Sequence, residues 1–560
     1  MSNATGWDLL VEFELDSETL RYSISGVSTS DGYYDGRVIS VSDISKDLIP
    51  GGGVSPVQSC YISIADTDGV LRKKAASTYF TRRYVRVKLL DLATGVATQI
   101  FGGRIESAPE FSYDEARFEV RDDSYDALEE PISLRTTTDI FSNLPAETPS
   151  RLIPIVLGTV DSSSFGSIGH IPAYLVDPKV GVSAYRYVAA QHPLKSVLRV
   201  CRNGVEVPTS EYTVTYADVT TGIGTVRMTF IDFTKDPRDA EEETIITYDA
   251  QGLTDDNTET GTLVTNPATA LQKFLALRSK VLSSEFDSTL LSQTETDYND
   301  ESITIGMAVT EDDTWLDVVE RICESYNLCF FRTGDGYYGV VFDKAATSSS
   351  SVTNTITDAN DIVEGSFSIA GRSYLRVDRP VSTLEINYAP DYARGSYAAT
   401  HEETDSTEQT ALGKDVKELV ELEVRTANIA GKLAQAKIFQ RRSSRNYVQF
   451  SCQPKTYELG DFFLLTHFAG ISSDGLGFDE EKFRTFGITV SAGESSGVEY
   501  QIRAIDAAGL TITNPGVVEP GRQTVVPPSR IVSLMSDVVW TPTDTKVTWA
   551  GPTGGSFSVK

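Results

Sequence analysis

Histidine residues give this sequence little capacity for metal or proton-transfer chemistry. The chain has only four, His170, His192, His401 and His467, and no two are spaced as H-x-x-x-H. Zinc enzymes bind their metal through closely spaced ligands, and histidine is the commonest general base. The pattern therefore predicts no metal site and argues against histidine-based catalysis.

The five cysteines give the sequence no visible redox or zinc motif. They are scattered along the chain as Cys60, Cys201, Cys323, Cys329 and Cys452. An odd number without C-x-x-C spacing is typical of reduced, buried thiols in a protein that folds in a cytoplasm. Cys323 and Cys329 are six positions apart, which is not a zinc-ligand spacing.

Acidic residues form no diagnostic catalytic motif. The stretch Asp66-Thr67-Asp68-Gly69 looks like the start of a calcium loop, but Ser77 stands where the loop needs Glu, so a hairpin turn is favoured. With 79 acidic residues, some carboxylate pair of the glycosidase type stays possible. P-loop, G-x-S-x-G and H-E-x-x-H motifs are missing from the sequence. We therefore expect no cofactor and no enzymatic activity.

The strongest basic cluster lies on a helix predicted over residues 427–442 and on its exit. Its members are Lys432, Lys437, Arg441, Arg442 and Arg445. One interpretation is a solvated helix face whose cations interact with the C-terminal end of the helix dipole. The other is an electrostatic contact with an acidic neighbouring subunit. We carry the cluster forward as a candidate subunit contact.

Charge and composition exclude several classes of partner. In 560 residues, 79 acids against 49 bases give a net charge of -30 and a pI near 4.6. A general nucleic-acid binder needs a basic surface, and so does docking on an anionic membrane. The sequence has no run of 18 apolar residues and no basic-then-apolar secretory signal at its start. Hydrophobic residues make up 40%, enough to build the cores of several domains.

The elements that hold these residues are mostly strands. Residues 1–130 and 131–255 consist of short apolar or alternating segments separated by Gly, Asp and Ser, which indicates barrels or sandwiches. Asn203-Gly204 between two apolar runs predicts a hairpin.

Residues 256–360 change to a small α+β pattern, with one helix capped by Asn266 before Pro267 and another starting near Thr314. Residues 361–515 return to strands around one helix, with 402–416 predicted to be a mobile acidic loop. Residues 516–560 form a linker and a short β segment.

Several segments of the strand-rich regions resemble the tail-hub and baseplate-hub proteins of bacteriophages. DGYYDGRVISVSDISKDL, ADTDGVL, IFGGRIES and FEVRDD are similar to the first hub barrel of that family. RLIPIVLGTV resembles the entry to an inserted domain, and NPATALQKFL with TWLDVVERICESYNLCFF resembles the middle α/β part. STLEINYAPDY, AGKLAQAKIFQRRSSRNYVQFSCQP and LGDFFLLTH resemble the second barrel. The likeness extends over about residues 5–515, and 516–560 resembles only the first strands of a fibronectin type III module.

The resemblance implies a fold and an assembly. We expect a mainly β protein with a small α+β module, built as a first hub β-barrel (1–130), an inserted β-rich domain (131–255), an α+β middle domain (256–360) and a second hub β-barrel with one helix (361–515). In this family three copies form a ring at the tail tip, so the expected assembly is a homotrimer with a channel for DNA passage without specific binding. The expected neighbours are the tail tube or distal tail protein, a tip or fibre protein and the tape-measure protein.

The resemblance also implies a location in the virion, at the phage tail tip, after synthesis and assembly in the host cytoplasm. Two alternatives stay open. The inserted region 131–255 or the C-terminal segment could bind a host-surface glycan, with loops such as 159–170 making the contact, or the chain could be a cell-wall hydrolase.

Overall fold

The structure is a computed structural model of the chain. It describes the residues from Gly6 to Val559 with interruptions. The residues outside the description are 1–5, 124, 147, 149, 166–168, 181–183, 239–243, 280, 312, 345–351, 359–360, 371–379, 443–445, 453–457, 473–474, 494–496, 508–537, 540–546, 551–555 and 560.

The first region is almost entirely strand, as its alternating segments predict. Its elements are β1 (Trp7–Glu14), β2 (Thr19–Ser23), β3 (Val27–Thr29), β4 (Gly32–Gly36), β5 (Val38–Asp47), β6 (Gly53–Val54), β7 (Ser59–Ala65), α1 (Val70–Ala75), β8 (Tyr84–Asp91), β9 (Ala97–Ile105), β10 (Glu110–Phe111) and β11 (Glu115–Arg121). In β11 the inward residues Ala116, Phe118 and Val120 are buried, and the residues between them are more exposed, which is the period of a sheet with one covered face.

The turn after β7 is a correction to the predicted hairpin. Asp66 is fully buried and its carboxylate accepts hydrogen bonds from the backbone N–H groups of Leu71 and Arg72, at 2.8 and 3.1 Å. These bonds satisfy N–H groups at the start of α1, so the chain enters a short helix instead of returning as a strand.

The second region is a nine-stranded sheet together with β20 of the next region. Its elements are β12 (Ile155–Val160), β13 (Ile171–Val180), β14 (Ala184–Ala190), β15 (Ser196–Arg202), β16 (Val205–Glu206), β17 (Tyr212–Thr221), β18 (Gly224–Phe233) and β19 (Ile246–Gln251). The predicted hairpin is confirmed, because Asn203 and Gly204 join β15 to β16 with φ of 50° and 82°. Both residue types tolerate this left-handed backbone.

The third region contains the predicted helices and one that the pattern did not reveal. Its elements are α2 (Pro267–Arg278), α3 (Ser288–Asp300), β20 (Gly306–Val309), α4 (Trp315–Tyr326), β21 (Leu328–Arg332), β22 (Tyr338–Phe342) and β23 (Val352–Thr357). Asn266 caps α2, and Thr314 with Asp317 forms a capping box at α4, as predicted. Helix α3 escapes a hydrophobic-period search because one of its buried positions is Thr294, whose hydroxyl donates to the Val340 carbonyl at 2.8 Å.

The last regions hold the longest strands. Their elements are β24 (Ser368–Ala370), β25 (Thr383–Asp391), β26 (Ser396–Thr404), α5 (Ser406–Leu412), β27 (Lys417–Glu421), α6 (Ala427–Gln440), β28 (Tyr447–Cys452), β29 (Phe462–Ser472), β30 (Gly475–Gly493), β31 (Gly497–Asp506), β32 (Val538–Val539), β33 (Val547–Ala550) and β34 (Ser556–Val559). Helix α6 is confirmed. The prediction of a mobile acidic loop over residues 402–416 is wrong, because this segment contains α5. Asp405 caps that helix by accepting hydrogen bonds from the N–H groups of Thr407 and Glu408.

One sixteen-stranded sheet joins the first and last β regions. Its main path is β24-β28-β31-β30-β5-β7-β11-β9-β8-β1-β2-β4-β3, with β10, β23 and β29 paired at its side. Among the described residues this path stays open, so the two predicted hub regions form a continuous sheet in place of two separately closed barrels. A mainly β fold with a small α+β module is confirmed, while the domain boundaries stay predictions.

Among the described residues the joined sheet has one large hydrophobic core and a small separate cluster of Leu10, Tyr34 and Leu90. Residues of the first region such as Phe13 and Phe118 belong to the same buried cluster as Phe450, Phe463 and Ile502 of the last region. A second cluster lies under α2, α3, α4 and α6, and two smaller ones lie on the faces of the nine-stranded sheet. Strand β12 connects the second and third regions, because it pairs with both β19 and β20.

We expect Gly158→Ala to destabilise the contact between β12 and the segment before β20. Gly158 has a φ of +63°, and a Cβ there would overlap the Ile305 carbonyl oxygen. Strain and overlap together should cost on the order of 3 kcal/mol of unfolding free energy, measurable by urea titration. Gly95→Ala is the matched control, since Gly95 has a φ of +73° with open space around it. Equal losses in the two variants would contradict the packing argument.

Candidate functional site

The junction between the first and last β regions is the pairing of β5 with β30. Ile44 lies opposite Val490, Ser45 opposite Thr489 and Asp47 opposite Gly487 in an antiparallel ladder. β30 is 19 residues long, roughly 60 Å at about 3.3 Å per residue. Its first half pairs with β29 and its second half with β5, while β31 follows it along most of its length.

The two faces of this junction differ in chemistry. On the inner face Ile44, Ile488 and Val490 are buried in the shared core. On the opposite face a row of four residues crosses four neighbouring strands, with Ser451 opposite Gln501, Gln501 opposite Thr489 and Thr489 opposite Ser45. Ser45 is exposed, Thr489 and Gln501 are half-buried, and Ser451 is buried. All four side chains are uncharged, although the chain carries a net charge of -30. We call this row the seam face.

Hydrogen bonds and one ion pair order the surroundings of the seam face. The hydroxyl oxygens of Ser45 and Thr489 are 2.9 Å apart, and the Ser451 hydroxyl donates to Glu499 at 3.2 Å. Arg503 pairs with Asp47 across the junction at 2.5 Å. The seam face is therefore a polar row flanked by the Arg503–Asp47 ion pair and by the Glu499 carboxylate.

A buried polar junction fixes the middle of β30, at Arg484. The Asp343 carboxylate accepts hydrogen bonds from the Arg484 guanidinium at 2.9 Å, the Gln440 amide at 3.0 Å and the Gly51 backbone N–H at 2.7 Å. These donors come from β30, from α6 and from the segment before β6. One carboxylate therefore holds three distant parts of the chain, and no local sequence pattern indicated it.

The predicted basic cluster on α6 is turned largely toward the rest of the chain. Lys432 donates to the Glu301 carbonyl and Lys437 to the Gly51 carbonyl, both at 2.6 Å. Arg441 and Arg442 pair with the carboxylates of Glu418 and Asp405, each at 2.6 Å. Arg445 lies outside the described residues. A contact between this cluster and another subunit stays a prediction, and its four described cations have partners within the chain.

Lys437 lies in an enclosed place between α6 and the segment before β6. Its surroundings lower the pKa of the amine to about 8, chiefly by burial and then through the nearby Arg441 charge. The amine donates to a carbonyl, which only partly replaces the hydration that it loses.

Two buried histidines lie where the second region meets the rest. The Arg425 guanidinium contacts His170 Nδ1 at 2.8 Å, and arginine can only donate, so this nitrogen must accept and the ring is neutral. His192 Nε2 accepts from the Val156 N–H at 3.0 Å. Burial lowers the pKa of each histidine to about 4, and Arg425 adds to the effect at His170. Both rings are structural parts of the core.

In the part of the chain that the structure describes, no group of three or more His, Cys, Asp or Glu side chains is placed to hold a metal ion. Within the same residues, no helix has the length and apolar character needed to span a bilayer.

Solved structures with a similar arrangement include tail proteins. A tail protein from Neisseria meningitidis aligns over 89% of this chain and 96% of its own, at 10% identity and a TM-score of 0.41. A 43 kDa tail protein of a Shewanella oneidensis prophage aligns over 90% and 99%, at 8% identity and a TM-score of 0.39. A chain of a native gene transfer agent virion aligns over 69% and 91%, at 11% identity and a TM-score of 0.41.

No protein-family model and no curated protein sequence matches the chain.

We expect Thr489→Pro to separate the first and last β regions. Thr489 lies inside β30, with partners on both sides, so a proline there removes a ladder hydrogen bond without emptying the core. The expected loss is on the order of 3 kcal/mol of unfolding free energy, seen by thermal or urea unfolding. Thr489→Val keeps the backbone N–H and the branched shape and should lose less than about 1 kcal/mol. Similar losses in both variants would show that the hydroxyl, not the ladder, carries the stability.

We also expect the protein to lose stability in mild acid through His170 and His192. A folded pKa of about 4 lies below the usual 6.5, so the unfolded chain binds protons first as the pH falls. Their contribution is complete above pH 6.5 and declines toward pH 4, by about 2 kcal/mol for each histidine between pH 7 and pH 5. Asp461, whose pKa burial raises to about 6, acts in the opposite direction.

The measurement is the urea midpoint against pH for the wild type and for His192→Gln. The variant should show a shallower decline, and the Asp461 contribution cancels because both proteins contain it. Parallel curves for the wild type and His192→Gln would refute the assignment.

Proposed function

We propose that the chain is a structural protein of a phage tail, and that the seam face is a contact surface for a neighbouring subunit. The observation that supports this proposal is the continuous sheet through β5 and β30, which makes two distant parts of the chain into one rigid body. The four side chains of the seam face are uncharged in a protein of net charge -30, so the row itself adds no like-charge repulsion between copies. The resemblance of residues 5–515 to hub proteins supports the same role.

The finer form of the proposal is a trimeric tail hub. Three copies form a ring at the tail tip in the virion, close or extend the tail tube, and join it to tip or fibre proteins. The tube or distal tail protein and the tape-measure protein are the other neighbours, and DNA passes through the ring without specific binding. An acidic channel wall would repel the phosphates of that DNA, which favours sliding over adhesion.

In this proposal the protein has no catalytic role. Its residues act by holding surfaces in place: the Asp343 junction fixes α6 against β30, and the β5–β30 ladder aligns the two strand regions.

We expect the purified protein to sediment as a trimer of its 61.1 kDa chain, and Ser45→Arg to shift it toward monomer. Ser45 is exposed on the seam face, so the larger cation can be accommodated in the free subunit but not between two subunits. The matched control is Thr400→Arg, an exposed position on β26 that should leave the trimer intact. Thermal unfolding at low concentration checks that both variants are folded.

The outcomes separate the parts of the proposal. A monomeric wild type, even when tail partners are added, would overturn the trimeric hub. If the Ser45→Arg variant remains a trimer, the trimeric hub stands and the proposal that the seam face is the subunit contact is rejected. Negative-stain images should show a threefold ring with a central hole. Saturable binding to host envelopes without a ring would favour the adhesin alternative.

A further inference from the structure

A lysine and two carboxylates meet at the end of α3. Lys344 Nζ lies 2.9 Å from Asp297 Oδ1 and 3.8 Å from Glu301 Oε1. Asp297 and Glu301 are four positions apart, so both side chains leave the last turn of α3 on the same side. Lys344 follows β22, the strand that packs against this helix.

The lysine amine is in an unusual environment for a cation. The Lys344 side chain is 5% exposed, and its Nζ makes no hydrogen bond of acceptable geometry with any described residue. Its nearest aromatic neighbour is the Phe342 ring, which stacks on Tyr298. A buried ammonium without hydrogen bonds is costly, so its proximity to the carboxylates needs an explanation beyond a surface ion pair.

We propose that Lys344 and Asp297 join in an intramolecular isopeptide bond, with Glu301 as the proton carrier. Lysine amines are nucleophiles when they are desolvated and deprotonated, and a neighbouring acid-base group can provide that change. The bond would connect the end of β22 covalently to the last turn of α3. The proposal does not depend on the tail-hub function.

The reaction balances without an external reagent. Glu301 accepts a proton from Lys344 Nζ and passes it to the Asp297 carboxylate. The free amine then attacks Asp297 Cγ, so that a C–N bond forms. The C–O bond breaks and one water leaves, made of an Asp297 oxygen and two protons from the ammonium. Glu301 ends in its original state, and an ion pair becomes a neutral amide.

The surroundings suit each role. Burial raises the pKa of the Glu301 carboxyl, which brings its proton affinity closer to that of a proton carrier at neutral pH. Lys432, from the predicted basic cluster, donates to the Glu301 carbonyl at 2.6 Å and holds that residue in place. The Asp297 side chain is 36% exposed, which gives the released water a path to solvent.

The test uses the intact chain and mass spectrometry. After incubation at neutral pH, the wild type should be lighter than its sequence by one water molecule. Trypsin should fail to cut after Lys344, and the digest should contain residues 281–321 joined to residues 333–372 as one branched peptide. A full sequence mass with normal cleavage after Lys344 would overturn the proposal.

Two variants and one internal control define the chemistry. Lys344→Arg should keep the positive charge and the full mass, and should unfold at a lower temperature than the wild type. Glu301→Gln should slow bond formation at least tenfold, and formation at the wild-type rate would remove Glu301 from the mechanism. Lys417, 2.9 Å from Glu402 Oε2 with both side chains about half exposed, should be cut normally by trypsin. A bond at Lys417 would show that proximity alone suffices.

Discussion

Backbone pairing between β5 and β30 is the constraint on which the rest of this structure depends. The two strands are separated by more than 400 residues in the sequence. Among the described residues, their pairing is the one step of the main sheet path that joins the first β region to the last. Their inner side chains share one core, so neither region can move independently. This single ladder also sets the position of the seam face.

The polar junction at Asp343 complements that ladder. The Asp343 carboxylate receives hydrogen bonds from β30, α6 and the segment before β6. Because hydrogen bonds are directional, they fix the orientation of these three segments as well as the distances between them, which apolar packing does not. The contact between the neutral His170 ring and the Arg425 guanidinium does the same for the second region. The cost of burying these groups is offset only when all the partners are in place, so they favour one arrangement of the regions.

Local signals in the sequence predicted local structure well. Asn266 before Pro267, Thr314 before Asp317 and Asn203-Gly204 each determine a backbone conformation within a few residues, and all three are found. Helix α3 was missed, and the turn at Asp66 was wrongly predicted, for reasons that a search for short motifs does not cover. Helix α3 has a threonine in its buried stripe, and the Asp66 turn is set by hydrogen bonds to N–H groups five and six residues ahead.

The candidate sites divide in the same way. The sequence by itself determined the acidic charge, the lack of catalytic motifs, the mainly β composition and the helix that carries Lys432 and Lys437, because these depend on residue type and short spacing. Only the tertiary structure decided that β5 pairs with β30, that the α6 cations have partners within the chain and that Lys344 meets Asp297 and Glu301. Such contacts join residues tens to hundreds of positions apart, and strand alternation alone does not specify which strands become neighbours.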